Sequence, residues 1–155
     1  MTSVEYRCFT GQPTEQVLHW LTEVNQHIFA FNETAERLAH LFQQQQEALL
    51  CLAFQEGKVV GFKLGFKENS ITFDSWRGGV LKSARRQGIA RQLMRLQHKW
   101  CEEHGIKVIK TTTNSDNTAM LILNLQHGFE IVGSFLRRRK RLKILQEKWL
   151  VDKES

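Results

Sequence analysis

Apolar side chains recur every three or four residues in four stretches of the chain, and each stretch predicts an amphipathic helix. The first begins near residue 14, and the second follows Asn32 or Thr34, either of which can cap it. The third begins near Gly88 and is stopped by Gly105. The fourth spans residues 117–127 and is stopped by Gly128. The third helix has the broadest apolar stripe, formed by Ile89, Leu93, Leu96 and Trp100.

Runs rich in β-branched and aromatic residues predict strands before, between and after these helices. They cover residues 4–9, 48–55, 58–67, 71–80, 107–112 and 129–135. The tail, 142–150, predicts a last strand, with a helix as the alternative. Two tight turns join the second, third and fourth strands, so these three are expected to be antiparallel. Within the fourth strand, Gly78-Gly79 predicts a bulge or a close backbone approach.

The composition is that of an ordinary globule, and 155 residues suit a single domain over 1–155. No apolar run reaches the ~20 residues of a membrane span, and the N-terminus lacks a signal-peptide core, so we expect a cytoplasmic protein. Cys8, Cys51 and Cys101 are odd in number and dispersed, which predicts reduced, buried thiols. The six histidines form no ligand-spaced cluster, which predicts no metal site.

The segment Val80–Ala90 contains the most distinctive chemistry of the sequence. A strand-like run ends at Val80, a helix begins near Gly88, and cations lie between and just beyond them at Lys82, Arg85, Arg86 and Arg91. A first helical turn with exposed N–H groups and nearby arginines can bind an anion. The spacing is neither that of a P-loop nor that of the three-glycine dinucleotide turn. A solvated strand-to-helix turn is the alternative.

Two motifs resemble those of the GNAT (GCN5-related N-acetyltransferase) superfamily. Arg85-x-x-Gly88-x-Ala90 is similar to its acyl-coenzyme A signature, and the block from Asn117 through Met120 and Asn124 to Gly128-Phe129 is similar to its second conserved block. The resemblance implies a mixed α/β (α+β) fold, with a mostly antiparallel sheet of about seven strands and about four flanking helices. The fourth and fifth strands would splay apart. The predicted element order agrees with this fold along essentially the whole chain.

The resemblance also implies an acetyl-coenzyme A cosubstrate, bound in the splay with its pyrophosphate on the main chain of residues 86–90. Gly88 would allow close approach of the backbone to the phosphates. Donors near Gly78-Gly79 would face the thioester carbonyl. The expected cofactor-binding residues are Val80, Arg85, Arg86, Gln87, Gly88, Ile89, Ala90, Asn117 and Asn124.

The catalytic residues are less clearly indicated. Many members of the superfamily carry a tyrosine acid where this chain has Asn124, and the only tyrosine here is Tyr6. Because an amide cannot donate a proton to a thiolate, Asn124 is expected to contact the thiol or the pantetheine arm, or to be purely structural. Asp74 aligns with the glutamate base of histone-type members and is the candidate general base, with an ordinary strand carboxylate as the alternative.

These features predict an N-acetyltransferase in which a primary amine, of a small molecule or a peptide, attacks the thioester directly. The alternatives are a coenzyme A-binding protein without efficient catalysis and a ribosome- or RNA-associated module that uses the basic run Arg137–Arg141. That run lacks interleaved aromatics, which disfavours nucleic acid as a partner. A homodimer is left open and no membrane partner is expected. The net charge of +6 suits an anionic ligand without identifying it. Candidate acceptor-pocket walls are Trp20, His27, Phe29, Phe31 and Trp76.

Overall fold

The computed structural model describes residues 2–29, 33–138 and 141–153. Among these residues, seven strands form one sheet in the order β1-β2-β3-β4-β5-β7-β6. The strands are β1 Val4–Thr10, β2 Ala48–Gln55, β3 Lys58–Lys67, β4 Thr72–Val80, β5 Val108–Asn114, β6 Glu130–Arg137 and β7 Arg141–Trp149. Every neighbouring pair is antiparallel except β4 and β5. The mixed sheet agrees with the predicted fold class, and the tail is a strand.

Four α-helices flank this sheet: α1 Glu15–Ile28, α2 Ala35–Gln44, α3 Ile89–Glu103 and α4 Thr118–Gln126. Thr14 caps α1 and Thr34 caps α2, each through a side-chain oxygen that accepts a backbone N–H. Asn32, the other predicted cap, lies outside the described residues. None of the helices in the described ranges is long and apolar enough to cross a membrane.

Every residue of β2 from Ala48 to Phe54 is apolar and buried, so the sheet is covered on both faces at this strand. Leu50 and Leu52 point to one face, where they pack beneath α1 and α2. Leu49 and Cys51 point to the other, beneath α3. Because both faces of the central strands are covered by helices, β2, β3 and β4 are held rigidly from both sides.

The cysteine prediction was wrong for Cys8, which is exposed, whereas Cys51 and Cys101 are buried. Cys8 and Cys51 are direct cross-strand partners on β1 and β2, with their sulfurs 2.9 Å apart as free thiols. This hydrogen bond lowers the pKa of Cys8 and raises that of Cys51. Because β1 is an edge strand, a side chain on its outer surface reaches solvent even where the sequence around it is apolar.

Candidate active site

The two central parallel strands separate partway along their length. β4 and β5 pair only through Thr72, Phe73 and Asp74, which face Val108 to Lys110. Beyond this point β4 continues to pair with β3, and β5 continues to pair with β7. A hydrogen bond of 3.0 Å from Thr111 Oγ1 to the carbonyl of Ser75 lies at the start of the gap. A wedge therefore opens between two strands that each remain fixed by their other neighbour.

β4 contains a bulge at the beginning of this wedge, but the bulge is not at Gly78-Gly79. Leu64 pairs with Arg77 and the adjacent Gly65 pairs with Ser75, so Trp76 is the extra residue. Gly78 and Gly79 are in regular register with Lys63 and Phe62. They instead have the second predicted role, because neighbouring atoms approach their backbone closely. A Cβ on Gly78 would meet the carbonyl oxygen of Phe62 at 2.9 Å, and one on Gly79 would meet Ile28 Cγ2 at 2.8 Å.

The segment after β4 forms the predicted turn into the third helix, and its anion-binding role stays a prediction. A short 3₁₀ turn, Lys82–Ala84, leads to Arg86 and Gly88, which both adopt left-handed backbone angles, with φ of 66° and 76°. Gly88 is the N-cap of α3 and provides no side-chain hydrogen bond to the first helical turn. The N–H groups of that turn are therefore left for another acceptor, at the positive end of the helix dipole.

A cavity of about 500 Å³ joins this turn to the wedge. The N-termini of α3 and α4 both border it, because Asn117, the N-cap of α4, lines the wall opposite Gly88. Asn117 Oδ1 accepts the N–H of Met120 at 3.3 Å, which fixes the helix start. The predicted cofactor residues that line the cavity are Val80, Arg85, Arg86, Gly88, Ile89, Ala90 and Asn117.

Two predicted cofactor residues do not line this cavity. Gln87 turns away, donating to the carbonyl of Ala84 and accepting from Gln55. Asn124 is buried, and its Nδ2 donates to Gln146 Oε1 on β7 at 2.9 Å. The Asn124 amide thus ties α4 to β7, and its contact with the thiol stays a prediction.

Asp74 lies at the last β4–β5 pair, on the strand segment that also carries Trp76. Burial raises the pKa of Asp74, and the Lys110 ammonium on the neighbouring strand partly opposes that rise. Lys110 is also paired with Glu68. A carboxyl with a raised pKa at the start of the wedge is suited to accepting a proton, and its role as the base stays a prediction.

The opposite mouth of the wedge is lined by residues from α1 and from the segment before α2. Arg77 forms an ion pair with Glu33 and donates to Asn25 Oδ1 at 3.1 Å, and its guanidinium lies over the Trp76 ring. Of the candidate pocket walls, Phe29 lines the cavity. Trp20 and Trp76 instead pack against the core beneath α1 and α2.

Neither of the two remaining wall candidates is seen among the described residues of the cavity. His27 borders a different surface depression, beside Gln87, and Phe31 lies outside the described residues. Arg137 and Arg141 are cross-strand partners at the end of the β6–β7 hairpin. Residues 139 and 140, which complete the run, also lie outside the described ranges.

A group of buried and half-buried polar side chains between α3 and the sheet was not predicted from the sequence. Lys63 on β3 lines the cavity, and burial lowers its pKa to about 8. His98 on α3 is buried, and its Nδ1 lies 2.9 Å from Lys148 Nζ on β7. An ammonium can only donate, so this His98 is neutral, with its hydrogen on Nε2. The signal for Lys63 was available, because a charged residue interrupts the apolar run of a central strand.

Comparison with known proteins places this geometry in a family. The model of the acetyltransferase (GNAT) family matches residues 14–129. Among solved structures, the chain resembles the ribosomal-protein-S18-alanine N-acetyltransferase from Escherichia coli, with a TM-score of 0.77 and 15% identity over 96% of this chain and 99% of that chain. A search of curated proteins finds no significant match.

Two similar structures contain the cofactor. The PaiA N-acetyltransferase from Thermoplasma acidophilum in complex with coenzyme A has a TM-score of 0.73 and 16% identity, over 95% of this chain and 99% of that one. A GNAT family acetyltransferase from Elizabethkingia anophelis with acetyl-CoA bound has a TM-score of 0.69 and 16% identity, over 95% of this chain and 98% of that one. At this level of identity the likeness concerns the fold, and the family match covers most of the sequence. The chain belongs to the acetyltransferase (GNAT) family.

Proposed function

We propose that this protein transfers an acetyl group from acetyl-coenzyme A to a primary amine, which attacks the thioester directly. The observation that carries the proposal is the cavity of about 500 Å³ that joins the cationic turn before α3 to the wedge between β4 and β5. One end of this cavity suits a pyrophosphate and the other suits a thioester. The two similar structures with coenzyme A or acetyl-CoA bound support this choice of cosubstrate.

The phosphate end of the cavity combines backbone donors with positive charge. Arg85, Arg86 and Arg91 all border it, beside the uncapped first turn of α3. Arg85 is anchored through its Nε to the carbonyl of Val80 at 3.3 Å. Arginine guanidinium groups and helix N–H groups together bind phosphate oxygens strongly. The pyrophosphate of acetyl-coenzyme A would lie here.

The thioester would lie along the free edge of β4. Beyond Asp74 this strand has no β5 pairing, so its backbone groups on that side are open to a ligand, apart from the Ser75 carbonyl, which accepts from Thr111 Oγ1. A backbone N–H directed at the developing oxyanion of a tetrahedral intermediate contributes about 3 kcal/mol to transition-state stabilisation. The bulge at Trp76 changes the orientation of the strand segment that follows it. In that segment Gly78 and Gly79 have no side chains, which leaves the backbone accessible.

The acceptor amine would enter from the α1 and α2 side, opposite the cofactor. Asp74 precedes Trp76 by two positions on β4, and the two side chains therefore share a sheet face. An ammonium must lose its proton before attack, and we assign that proton to Asp74, directly or through one water molecule. The carboxylate is the accepting form, so the rate should fall as the pH drops through the raised pKa of Asp74.

Thiol release from acetyl-coenzyme A, measured with a panel of amines, tests the proposal. The panel should include small primary amines, polyamines and peptides with free N-termini, because one similar structure is a protein-alanine N-acetyltransferase. Mass spectrometry of the acceptor should show the acetyl group on nitrogen. Acceptor-free reactions give the hydrolysis background, and activity with at least one class of amine well above it is the expected result.

A coenzyme A-binding protein without efficient catalysis is the second candidate. The observation that favours it is the buried Asn124–Gln146 hydrogen bond, which occupies the position of the usual tyrosine acid with a structural contact. Tight binding of coenzyme A, with thiol release no faster than the acceptor-free background for every amine, would favour this candidate. The RNA-associated hypothesis rests on the basic run alone. Binding to RNA that is weak and insensitive to salt would exclude it.

A further inference from the structure

Lys63 is a half-buried cation of the central sheet that lines the cavity. It lies on β3 between the buried Phe62 and Leu64 and pairs with Gly78 across to β4. Its Cγ lies 3.3 Å from the point that a Cβ on Gly78 would occupy, so the lysine stem passes over the glycine. On β4 the wedge begins after Asp74, and the phosphate-binding turn follows Val80. Gly78, the pairing partner of Lys63, lies between these two points, so Lys63 does as well.

Within the described ranges, the ammonium of Lys63 has no hydrogen bond or ion pair to the rest of the chain. The ionisable groups nearest to it are Cys51 on β2 and His98 on α3. Both are neutral near pH 7, since the pKa of the Cys51 thiol is raised and that of His98 is lowered to about 3, so neither provides a counter-charge. Further away, Lys148 on β7 and His127 after α4 also face His98. Burial is the main reason that the pKa of Lys63 falls to about 8.

The other polar residues that line the cavity cannot donate a proton to a sulfur atom. Three of them are arginines, whose guanidinium group does not give up a proton in proteins, and the fourth, Asn117, carries an amide. The remaining lining residues of the described chain are apolar or glycine. Among the described residues that line the cavity, Lys63 is therefore the one whose side chain can exchange a proton near neutral pH.

Taking the proposed acetyl transfer as given, we propose that Lys63 is a catalytic acid that contacts the thioester sulfur and protonates it as coenzyme A leaves. The acceptor nitrogen forms a bond to the carbonyl carbon, the carbon–sulfur bond breaks, and its electron pair goes to sulfur. The sulfur takes a proton from Lys63 Nζ, and the acceptor nitrogen releases one to the base. Lys63 regains a proton from solvent once the thiol departs.

The pKa of Lys63 is close to that of the thiol that it would protonate. A free thiol has a pKa of about 8.5, close to that of Lys63. Proton transfer between groups of similar pKa is nearly balanced in free energy, which is the condition for efficient general acid catalysis. An ordinary exposed lysine, with a pKa near 10.4, would be a weaker acid towards the same thiolate.

Replacement of Lys63 by methionine and by arginine tests this role. Lys63→Met keeps the length of the side chain and removes the proton, so kcat should fall by about 10²-fold. Lys63→Arg keeps the charge but cannot donate, so it should be about as slow as Lys63→Met. In the wild-type enzyme kcat should decline above about pH 8, and both variants should lack that decline. Wild-type turnover in the arginine variant, or loss of less than about threefold in the methionine variant, would overturn the proposal.

A second measurement separates this proposal from that of acetyl transfer itself. The thiol of bound coenzyme A can be titrated by the ultraviolet absorbance of its thiolate, which requires no turnover. A neighbouring ammonium favours the thiolate, so the thiol should be about tenfold more acidic on the wild-type protein than on Lys63→Met. Identical titrations would refute the contact with sulfur. A shifted titration on a wild-type protein that acetylates no amine would instead contradict the proposed function and support the placement of Lys63.

Binding of coenzyme A controls for misfolding. The phosphate-binding turn does not include Lys63, so at pH 7, where the bound thiol mostly keeps its proton, coenzyme A affinity should agree within about threefold among the three proteins. Cooperative thermal unfolding should be retained by both variants. A methionine variant that still binds coenzyme A but shows neither a slower rate nor a shifted thiol would count directly against the proposal.

Discussion

The two ends of the cavity differ in the chemical groups that surround them. The turn before α3 consists of consecutive residues, and it presents backbone N–H groups and exposed arginines to solvent. The wedge end is lined by residues of β3, β4 and α1, and His98 of α3, which is buried against Lys148 of β7, lies close to its Lys63. Gln97 and His98 Nε2 find no hydrogen-bond partner there among the described residues. Under the proposed function, anion affinity would come from the first end, while the second end shifts the pKa values of its side chains. Binding and chemistry should therefore be separable by substitution.

The tightest packing lies at the wedge end, so the largest effect should follow from adding one carbon there. A Cβ on Gly65, opposite the bulge, would lie 2.2 Å from the Phe73 ring and 2.7 Å from the carbonyl oxygen of Asp74. Gly65→Ala should lower the free energy of unfolding by at least ~3 kcal/mol, as measured in urea. Gly133→Ala on β6 is the matched control, because its nearest contact is an ordinary 3.6 Å. Equal stability of the two variants would show that the wedge end is not tightly packed.

Asp74→Asn tests whether chemistry is confined to the wedge end. We expect kcat to fall by about 10²-fold while coenzyme A affinity is retained. The raised pKa of Asp74 means that the folded protein disfavours its charged form, and stability is lost as the pH rises through that pKa. The neutral asparagine avoids this cost, so urea unfolding at pH 7 should show no loss of stability. A slower variant that is also less stable would point to a structural role.

His98 should make the wedge end sensitive to acid. Its pKa is about 3 in the folded protein, because of burial and the nearby Lys148, against 6.5 when exposed. The unfolded chain binds the proton first, so stability falls as the pH drops from 6.5 towards 3. Between pH 6.5 and pH 5, wild type should lose roughly 1.5 kcal/mol more than His98→Gln. The exposed His19 provides the control, and His19→Gln should follow wild type.

Arg86→Gln examines the phosphate-binding end and should have the smallest effect. Removal of one exposed cation beside the cavity should weaken coenzyme A binding by about tenfold, or ~1.4 kcal/mol, with kcat nearly unchanged. The difference should shrink as salt is added. Calorimetric titration of coenzyme A measures both effects. Arg95→Gln, on the exposed surface of α3, should bind like wild type. A large fall in kcat for Arg86→Gln would contradict the separation of the two ends.

The turn before α3 could be predicted from the sequence because its parts are adjacent in the chain. The spacing of Arg85, Gly88 and Ala90 places them in one turn whatever the rest of the fold does, and all three line the cavity. The element order followed from periodicity in the same local way. The tight turn between β2 and β3 was equally local, and both strands have the predicted bounds.

The wedge end could not be predicted in this way, because its contacts join distant segments. The hydrogen bond from Asn124 to Gln146 and the approach of Lys148 to His98 depend on how α3, α4 and β7 pack. The bulge was misplaced for a related reason. Paired glycines permit a bulge, but the register with β3 decides where it occurs, and that register shifts beside Gly65.

The bulge at Trp76 also changes which face of the sheet each later residue of β4 points to. Phe73 and Gly78 both face α3, although they are five positions apart, while Trp76 and Arg77 both face α1. A strand without the extra residue would exchange the two surfaces from that point onward. The number of residues between Asp74 and Gly78 should therefore be more strictly required than their identities. A one-residue deletion at Trp76 should be far more harmful than substitution of the same residue.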